Sequence, residues 1–332
     1  MAVQWSDAVD DAIRGDLVAA AAYITRAGGA VVTSVAPCGL DRRPEGILGF
    51  TTSLGFGRKL EHIIREPRVA LAFHTRRHGF CDRPLFVLAQ GTASVDLKPS
   101  RQRLEAFVPQ AERCLGKTKH GPLWDRVLRE YYWERVFVDI SVERLVTWPD
   151  LEARGQPEVT GAVPFESPAP QAIPPTGTEP RLEVGKATGQ VMKLPHQVIA
   201  FRGADGFPIV VPVRVTGHDG AGLSLEAAGG LLPGGGRRAG LLAHEFGPRL
   251  NGISSRVLTG WLSVTDDGAA TYAPFTSKGL AAPPLKDLAL LANGVFAKVG
   301  YRQAVRRGLP AHLERLAMER PVEPEAPAPA ER

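Results

Sequence analysis

The residues of this sequence that are best suited to chemistry lie in one short segment. Three hydroxyl residues end an apolar run, a Gly-X-Gly loop follows, and two basic residues then open a stretch with helical spacing. The segment reads Thr51-Thr52-Ser53-Leu54-Gly55-Phe56-Gly57-Arg58-Lys59. Free backbone N–H groups and the positive end of the helix dipole would point at the loop, where basic and hydroxyl side chains add charge-assisted hydrogen bonds. The pattern predicts a cradle for an anion such as a phosphate group.

This segment differs from the two common phosphate-binding motifs. It has neither the Gly-X-Gly-X-X-Gly spacing of a dinucleotide site nor the strand–helix–strand context that such loops need. Each residue type also has an ordinary explanation, because hydroxyl residues often end an edge strand and Lys59 could be a solvated helix residue. The prediction therefore rests on the combination and order of the residues.

A second glycine-rich loop occurs later in the chain, at Leu232-Pro233-Gly234-Gly235-Gly236-Arg237-Arg238. Arg237 and Arg238 could form an equivalent anion site. However, Glu226-Ala227-Ala228 stands where the first loop has its hydroxyl residues, and a carboxylate repels a phosphate. We interpret the second loop as a degenerate copy. The alternative is that Arg237 or Arg238 reaches across a domain interface to the first site.

The elements that must position the first loop are mostly short strands. An amphipathic helix is predicted over Asp7–Arg26, ending at Gly28-Gly29. Apolar, β-branched runs predict strands at 30–36, 46–53, 69–74, 85–95 and 135–147, and apolar spacing predicts helices at 57–65, 100–115 and 123–134. Many strands around a few helices favour an antiparallel β-barrel over a parallel sheet.

The second half repeats this order of elements. Strands are predicted at 197–203, 207–216, 223–227 and 256–264, with a hairpin turn at Asp205-Gly206 and a helical stretch over Arg237–Glu245. The first loop aligns with the second, and the run beginning at Gly91 aligns with the run beginning at Gly260. We interpret this as a diverged internal duplication.

Proline content divides the chain. The stretch 151–185 is rich in proline and predicts a semi-extended linker, and the Pro/Ala/Glu-rich tail 317–332 predicts disorder. The predicted domains are therefore a cofactor-binding barrel at 1–150 and a second, diverged barrel with a C-terminal helix at 186–316. The fold class is mainly β with helical additions, as two tandem antiparallel split β-barrels.

Composition excludes several classes. The chain has 332 residues, a formal net charge of +5 and three cysteines without paired spacing, which argues against a disulfide framework. Its basic residues are dispersed, so no specific nucleic-acid binding is predicted. The acidic start and the short apolar run 17–24 predict neither a signal peptide nor a membrane segment, and the expected location is the cytoplasm.

The quoted motifs resemble the pyridoxamine 5′-phosphate oxidase-like, flavin-binding split-barrel family. The resemblance rests on "FTTS", the run "RKLEHIIREPRVAL" and "FVLAQGTASV", in that order. It covers residues 28–147 well and 195–264 weakly. The family motif "NPRV" stands here as Glu66-Pro67-Arg68-Val69, a departure that touches no ligand position.

The resemblance implies a flavin-dependent oxidoreductase that moves a hydride to or from a small organic substrate. The implied cofactor is FMN, alternatively a deazaflavin coenzyme, with haem ranked behind both. The implied binding residues are Thr51, Thr52, Ser53, Arg58 and Lys59 for the phosphate and Gln90 and Gly91 near the ring. Barrels of this family pair around the cofactor, which implies an intramolecular pseudo-dimer or a homodimer.

The remaining chemistry-bearing residues favour no second site. His74, His78 and Cys81 are too few and too loosely spaced for a zinc motif. His244 could ligate haem, although a single helix histidine is more often a packed residue. The competing function is a flavin- or haem-binding split-barrel protein without turnover. No catalytic acid or base is identified from the sequence.

Overall fold

The computed structural model describes residues 2–38, 40–161, 167–283 and 285–319. The first half contains α1 Asp7–Gly15, β1 Ala19–Ile24, β2 Ala30–Val35, β3 Ile47–Ser53, α2 Gly57–Arg65, β4 Arg68–Phe73, β5 Phe86–Asp96, α3 Arg101–Leu115, α4 Pro122–Trp133, β6 Arg135–Trp148 and β7 Glu158–Gly161. The second half contains α5 Val184–Val191, β8 His196–Arg202, β9 Pro208–Pro212, β10 Arg214–His218, β11 Leu223–Glu226, β12 Gly235–Glu245, β13 Ser254–Val264, β14 Ala270–Ala281, α6 Lys286–Arg306 and α7 Leu309–Met318.

The strands form two curled antiparallel sheets with the same order. The first sheet runs β2-β1-β4-β5-β6-β3, with β7 on the far part of β6, and the second runs β9-β8-β12-β13-β14-β11-β10. Each strand from β1 to β6 thus has a counterpart at the same place in the second sheet. The predicted fold class, mainly antiparallel β in two barrels with helical additions, is confirmed.

The strand register aligns the two sheets residue by residue. Gly91 pairs with Val69 and Gly260 pairs with Ala239, and each glycine follows a bulge in its pairing with the next strand. The alignment of Gly91 with Gly260 is therefore confirmed. In the same register, Arg238 lies opposite Trp261 and Arg68 lies opposite Thr92. Arg238 therefore corresponds to Arg68 and not to the basic pair at 58–59.

Two sequence-based assignments are wrong. The helix predicted over Asp7–Arg26 ends at Gly15, and residues 19–24 form strand β1, whose six residues are all buried. The helix predicted over Arg237–Glu245 is strand β12, which is buried on both faces along most of its length. A strand buried on both faces loses its polar alternation, so periodicity cannot distinguish it from a buried helix.

Smaller differences concern the second half. The single strand predicted at 207–216 is two strands, β9 and β10, and strands β7 and β14 were not predicted. The C-terminal helices α6 and α7 pack against the first barrel: Ala304, Leu313 and Leu316 lie in that barrel's own core. The tail beyond residue 319 lies outside the described residues.

The two barrels share one apolar core, which we call the seam. It combines Ala22, Val32 and Ala70 of the first barrel with Ile199, Val211 and Leu241 of the second, among other buried residues. Strand β12 packs directly on β2, because a Cβ added to Gly240 would lie 2.7 Å from the Ala30 carbonyl oxygen. Backbone approaches this close need glycine and leave no room for water.

The proline-rich stretch runs across the seam. Between Gly161 and Val184 the described residues contain no helix or strand. Gln171 connects the halves there: its Nε2 donates to the Gly28 carbonyl (3.1 Å), and its Oε1 accepts from the Arg238 amide (3.0 Å). In the part of the chain that the structure describes, no helix is long and apolar enough to cross a membrane.

Replacement of Gly91 by alanine tests the bulge geometry. The new Cβ would lie 2.1 Å from the Ser141 carbonyl oxygen, a backbone atom that cannot turn away. We expect the free energy of unfolding in urea to fall by about 1–3 kcal/mol. Gly189→Ala, on helix α5 with no atom within 4 Å, is the control and should not be destabilising. Equal stability of Gly91→Ala and the native chain would contradict the register.

Candidate functional site: an anion cradle

The predicted cradle lies where β3 ends and α2 begins. Ser53 ends the strand, and its Oγ accepts a hydrogen bond from the Gly55 amide (3.2 Å), which starts the short 3₁₀ helix Leu54–Phe56. Helix α2 follows at once because Leu60, Ile63 and Ile64 recur at helical spacing and are buried against the barrel. No side chain caps the start of α2. The first amides of this helix are therefore available to a ligand.

The three hydroxyl residues of β3 have different surroundings. Successive side chains of a strand point to opposite faces, so Thr51 and Ser53 share one face and Thr52 shares the other with Phe50. The Thr51 Oγ1 accepts a hydrogen bond from Arg135 (2.7 Å). The Thr52 Oγ1 is buried and has no hydrogen-bond partner. Of the three hydroxyls, that of Thr52 is thus the one without a hydrogen bond. Burying a polar atom without a hydrogen bond is unfavourable.

Lys59 lies on the same side as Thr52. Its Nζ is 5.4 Å from the centre of the Phe50 ring and 5.1 Å from that of Phe56. Among the described residues it makes no ion pair. Burial lowers the pKa of Lys59 to about 8. Aromatic faces compensate an ammonium only in part, so this charge would be stabilised by an anion.

Arg58 and Arg135 complete the basic surroundings. Arg58 is exposed, whereas Arg135, the first residue of β6, is opposite Ser53 in the sheet. A cavity of about 210 Å³ lies beside this strand end, lined by Leu54, Trp133 and Arg135 among others. The charge of Lys98, which also lines the cavity, is paired with Glu314 of α7 at 2.6 Å.

Helices α6 and α7 form a roof over the cradle. A Cβ added to Gly55 would lie 3.3 Å from the Cα of Gly300, and one added to Gly57 would lie 2.3 Å from Leu309. The loop and the start of α2 are therefore in direct contact with the two helices. No pattern in the sequence predicted this roof.

Gln90 and Gly91 lie away from the cradle, at the seam. The Gln90 side chain is fully buried; its Nε2 donates to the Pro208 carbonyl (2.6 Å), and its Oε1 accepts from Arg144 (2.7 Å). Arg144 in turn pairs with Asp205 at 2.6 Å. Both ends of the Gln90 amide thus serve contacts between the barrels.

Arg237 and Arg238 also lie outside the cradle. Arg237 is buried and donates to the carbonyls of Pro168 (3.1 Å) and Pro233 (3.0 Å), which fixes the glycine loop and the proline-rich stretch. Arg238 packs on Gly29 in the β1–β2 turn, as Arg68 packs on Gly206 in the β8–β9 turn. The two arginines therefore serve the second loop and the seam.

Sequence reasoning missed a histidine pair at the centre of the seam. His74 and His244 follow equivalent strand positions 170 residues apart, and their Nε2 atoms are 2.7 Å apart. His196 lies beside them, with its ring centre 5.3 Å from that of His244. Alignment of Arg68 with Arg238 would have superposed the two histidines and could have found the pair.

The hydrogen bonds fix the protons of this pair. The His74 Nδ1 is 3.2 Å from the Ala72 carbonyl, which can only accept, so the His74 Nε2 must accept from His244. The Nδ1 of His244 is then an unprotonated nitrogen, buried without a partner. Burial lowers the pKa of His74 to about 3 and that of His244 well below its usual value. Both rings are neutral in the folded protein.

A buried ion pair lies next to the histidines. Arg76 Nη1 is 2.6 Å from the Asp16 carboxylate, and the Thr75 amide also donates to this carboxylate (3.3 Å). Burial raises the pKa of Asp16 to about 7, although Arg76 opposes the shift. Across the described residues, no group of three or more His, Cys, Asp or Glu side chains is arranged to hold a metal ion.

No family model and no curated protein matches the chain. Among solved structures, a conserved hypothetical protein from Mycobacterium tuberculosis is 20% identical with a TM-score of 0.34, over 44% of this chain and 86% of its own. A pyridoxamine 5′-phosphate oxidase-related, FMN binding protein from Nostoc punctiforme is 11% identical with a TM-score of 0.32, over 63% of this chain and 96% of its own. A structure named F420 reductase is 14% identical with a TM-score of 0.29, over 41% and 94%.

The fold is defined by the strand order and register described above.

The histidine pair predicts a loss of stability in mild acid. The unfolded chain takes up protons on these two rings as pH falls below about 6.5, whereas the folded chain cannot until far lower pH. For each ring, the free energy of unfolding should then fall by about 2 kcal/mol between about pH 7.5 and about pH 5. Urea unfolding of His244→Gln at both pH values should show a smaller loss than the native chain.

Asp16 has the opposite sign, because its raised pKa favours the folded state as pH falls. This contribution is common to both proteins and cancels in their difference. His78→Gln, at an exposed position, is the matched control and should retain the native pH dependence. Equal pH dependence in His244→Gln and the native chain would show that the buried pair is not held neutral.

Proposed function

We propose that this chain is an oxidoreductase that uses a flavin-type cofactor, FMN or a deazaflavin coenzyme, whose phosphate group binds at Thr52, Lys59 and the start of α2. One observation carries the proposal. Lys59 is a partly buried ammonium without a carboxylate partner among the described residues, on the same side of β3 as a buried hydroxyl without any hydrogen bond.

The charges around the cradle fit a phosphate. Lys59 supplies a positive charge, Thr52 a free hydroxyl, and α2 its first amides and the positive end of its dipole. Arg135 adds a further positive charge at this strand end, on the face of β3 where it bonds Thr51. In contrast, a structural lysine at a helix start would normally be solvated or paired with an acid.

The cavity beside the cradle, which neither Thr52 nor Lys59 lines, is too small for a complete flavin. The cavity of about 210 Å³ is smaller than the roughly 300–1,000 Å³ of most small-molecule sites. A bound isoalloxazine ring therefore requires that α6 and α7 shift from their contacts at Gly55 and Gly57. The roof would then exclude water from the bound ring.

The chemistry itself belongs to the cofactor, which when bound accepts or donates a hydride. The chain's own residues have the tasks of binding and orientation. Lys59, Thr52 and the α2 amides hold the phosphate end, and the roof helices cover it. This division of labour agrees with a site in which no acid or base pair is arranged for proton transfer among the described residues.

We further propose that the two barrels act as one unit that arose by internal duplication. The shared strand order, the equivalent bulges at Gly91 and Gly260 and the shared core support this. In the second barrel, the described residues 227–234 between β11 and β12 form no counterpart of helix α2, and this loop contains no lysine. Its loop is instead fixed by Arg237.

The roof also supports a second candidate, a flavin-binding protein without turnover. A cradle closed by α6 and α7 could hold a cofactor while leaving no access for a substrate. Haem has less support, because His244 is fully buried and its Nε2 is bonded to His74. The reoxidation rate of bound, reduced cofactor distinguishes the two candidates. An oxidoreductase should speed its reoxidation by small organic acceptors such as quinones relative to free cofactor, whereas a binding protein without turnover should not.

Replacement of Lys59 by alanine is the sharpest test of the cradle. It removes one charge-assisted hydrogen bond to the phosphate, worth about 1.5–3 kcal/mol. Affinity for FMN or for a deazaflavin coenzyme should therefore fall roughly ten- to a hundred-fold in a fluorescence titration. Arg58→Ala, at the exposed neighbouring position, is the matched control and should change affinity much less.

Circular dichroism would establish that both variants fold. Unchanged affinity of Lys59→Ala for every flavin would remove the phosphate cradle from the account. A loss in both variants to the same degree would indicate general attraction to basic charge instead of a built site.

The asymmetry of the two loops predicts one cofactor per chain. Among the residues that the structure describes, only those of the first barrel combine a helix start, an unpaired lysine and a buried free hydroxyl. Titration to saturation, with protein quantified by amino-acid analysis, should give one mole of flavin per mole of chain. A second equivalent that survives in Lys59→Ala would place a site in the second barrel.

A further inference from the structure

Two of the three cysteines lie in one small buried cluster, separate from the main core of the first barrel. Cys38 lies in the loop after β2 and Cys114 in the last turn of α3, and their side chains are hydrogen-bonded. They are 2% and 5% exposed and belong to one buried cluster with Phe107 and Phe137. Residues far apart in sequence thus bring two thiols into contact, which their spacing did not indicate.

The two thiols have different character. The hydrogen bond from Cys38 and the charge of Arg113 lower the pKa of Cys114, against the effect of burial. The same hydrogen bond and burial raise the pKa of Cys38 well above its usual value. A thiol whose pKa is lowered, beside a thiol whose pKa is raised, is the arrangement of a reactive and a resolving cysteine.

The backbone at Cys38 is also unusual. Its φ is 46°, in the left-handed region that a residue with a Cβ seldom adopts. The loop therefore holds this side chain towards Cys114 in spite of local strain. Cys81, the third cysteine, is half-buried, and its Sγ accepts a hydrogen bond from the Arg83 amide (3.4 Å).

We propose that Cys38 and Cys114 form a reversible disulfide, with hydrogen peroxide as the oxidant. Both sulfurs are buried, so a small oxidant can reach them more readily than a protein or glutathione disulfide. This proposal does not depend on flavin binding. It is also compatible with a reducing compartment, because a dithiol would restore the two thiols.

The reaction balances in two steps. The Cys114 thiolate attacks one peroxide oxygen, the O–O bond breaks, and the released hydroxide takes up a proton to give water and a sulfenic acid. The Cys38 sulfur then attacks the Cys114 sulfur, the S–S bond forms and the S–O bond breaks. The departing hydroxide takes the Cys38 proton as water. Overall, two thiols lose two electrons and peroxide becomes two waters.

The disulfide would tie the end of α3 to the end of β2. It would constrain the unfolded chain over a long loop, so the oxidised protein should melt at a higher temperature, by about 5 °C. The cross-link would lie close to Arg135, whose charge lowers the pKa of Cys38 and which also bonds Thr51.

The test uses the full chain, reduced, treated with one equivalent of hydrogen peroxide, and then unfolded in guanidinium chloride so that N-ethylmaleimide can reach every remaining thiol. We expect an intact mass lower by two hydrogen atoms, with only Cys81 alkylated and a linked peptide pair containing Cys38 and Cys114. Dithiothreitol should restore three alkylation sites. Cys81→Ser is the matched control and should form the same linkage.

Cys38→Ser should stop at the sulfenic acid of Cys114, which dimedone traps; if this variant fails to fold, Cys38→Ala replaces it. Three outcomes would overturn the proposal. These are no oxidation at all, a linkage that includes Cys81 or a second chain, and dimedone labelling of the native chain without a disulfide. Any of them would leave the two thiols as packing residues.

Discussion

The structure depends on the burial of the seam between the two barrels. Strands β1, β4 and β12 are covered on one face by their own barrel and on the other by its neighbour, so they are buried almost throughout. Removing this much apolar surface from water is the main source of stability for such a pairing. The same burial constrains the polar groups at the seam. Because water is excluded there, each polar group needs a hydrogen-bond partner from the protein or remains unpaired.

The histidine pair and the Gln90–Arg144–Asp205 network are the consequences of that constraint. His74 and His244 meet where equivalent strands of the two barrels end, and one ring donates to the unprotonated nitrogen of the other. Gln90 and Arg144 connect the first barrel to the β8–β9 turn of the second. The amide expected near a cofactor ring is therefore part of what holds the halves together.

Most elements could be predicted from the sequence, because their patterns are local. Helix α2 occurs over the predicted residues 57–65, and strands β2 to β6 lie within a residue or two of their predicted bounds. The strands wrongly assigned as helix are the seam strands β1 and β12, where both faces are apolar and the spacing resembles a buried helix. The helix predicted from Arg237 is wrong for a second reason as well. The glycine-rich loop before it resembles the loop before α2, but it leads directly into strand β12.

The candidate site, like the fold, was only partly predictable from the sequence. The order of hydroxyl, glycine and basic residues predicted the cradle, since these residues are adjacent in the chain. The hydrogen bonding of Thr51, Thr52 and Ser53 was not predictable, because it depends on the face of β3 that each residue occupies and on distant partners such as Arg135. The roof of α6 and α7 and the thiol contact between Cys38 and Cys114 join segments far apart in sequence, which no local pattern could indicate.

Calorimetric unfolding of the intact chain tests most directly whether the seam makes the two barrels one unit. Two independent domains would unfold in two transitions, whereas a shared core couples them into one. We predict a single transition whose calorimetric enthalpy equals its van't Hoff enthalpy. Two resolved transitions, or a calorimetric enthalpy about twice the van't Hoff value, would contradict the account.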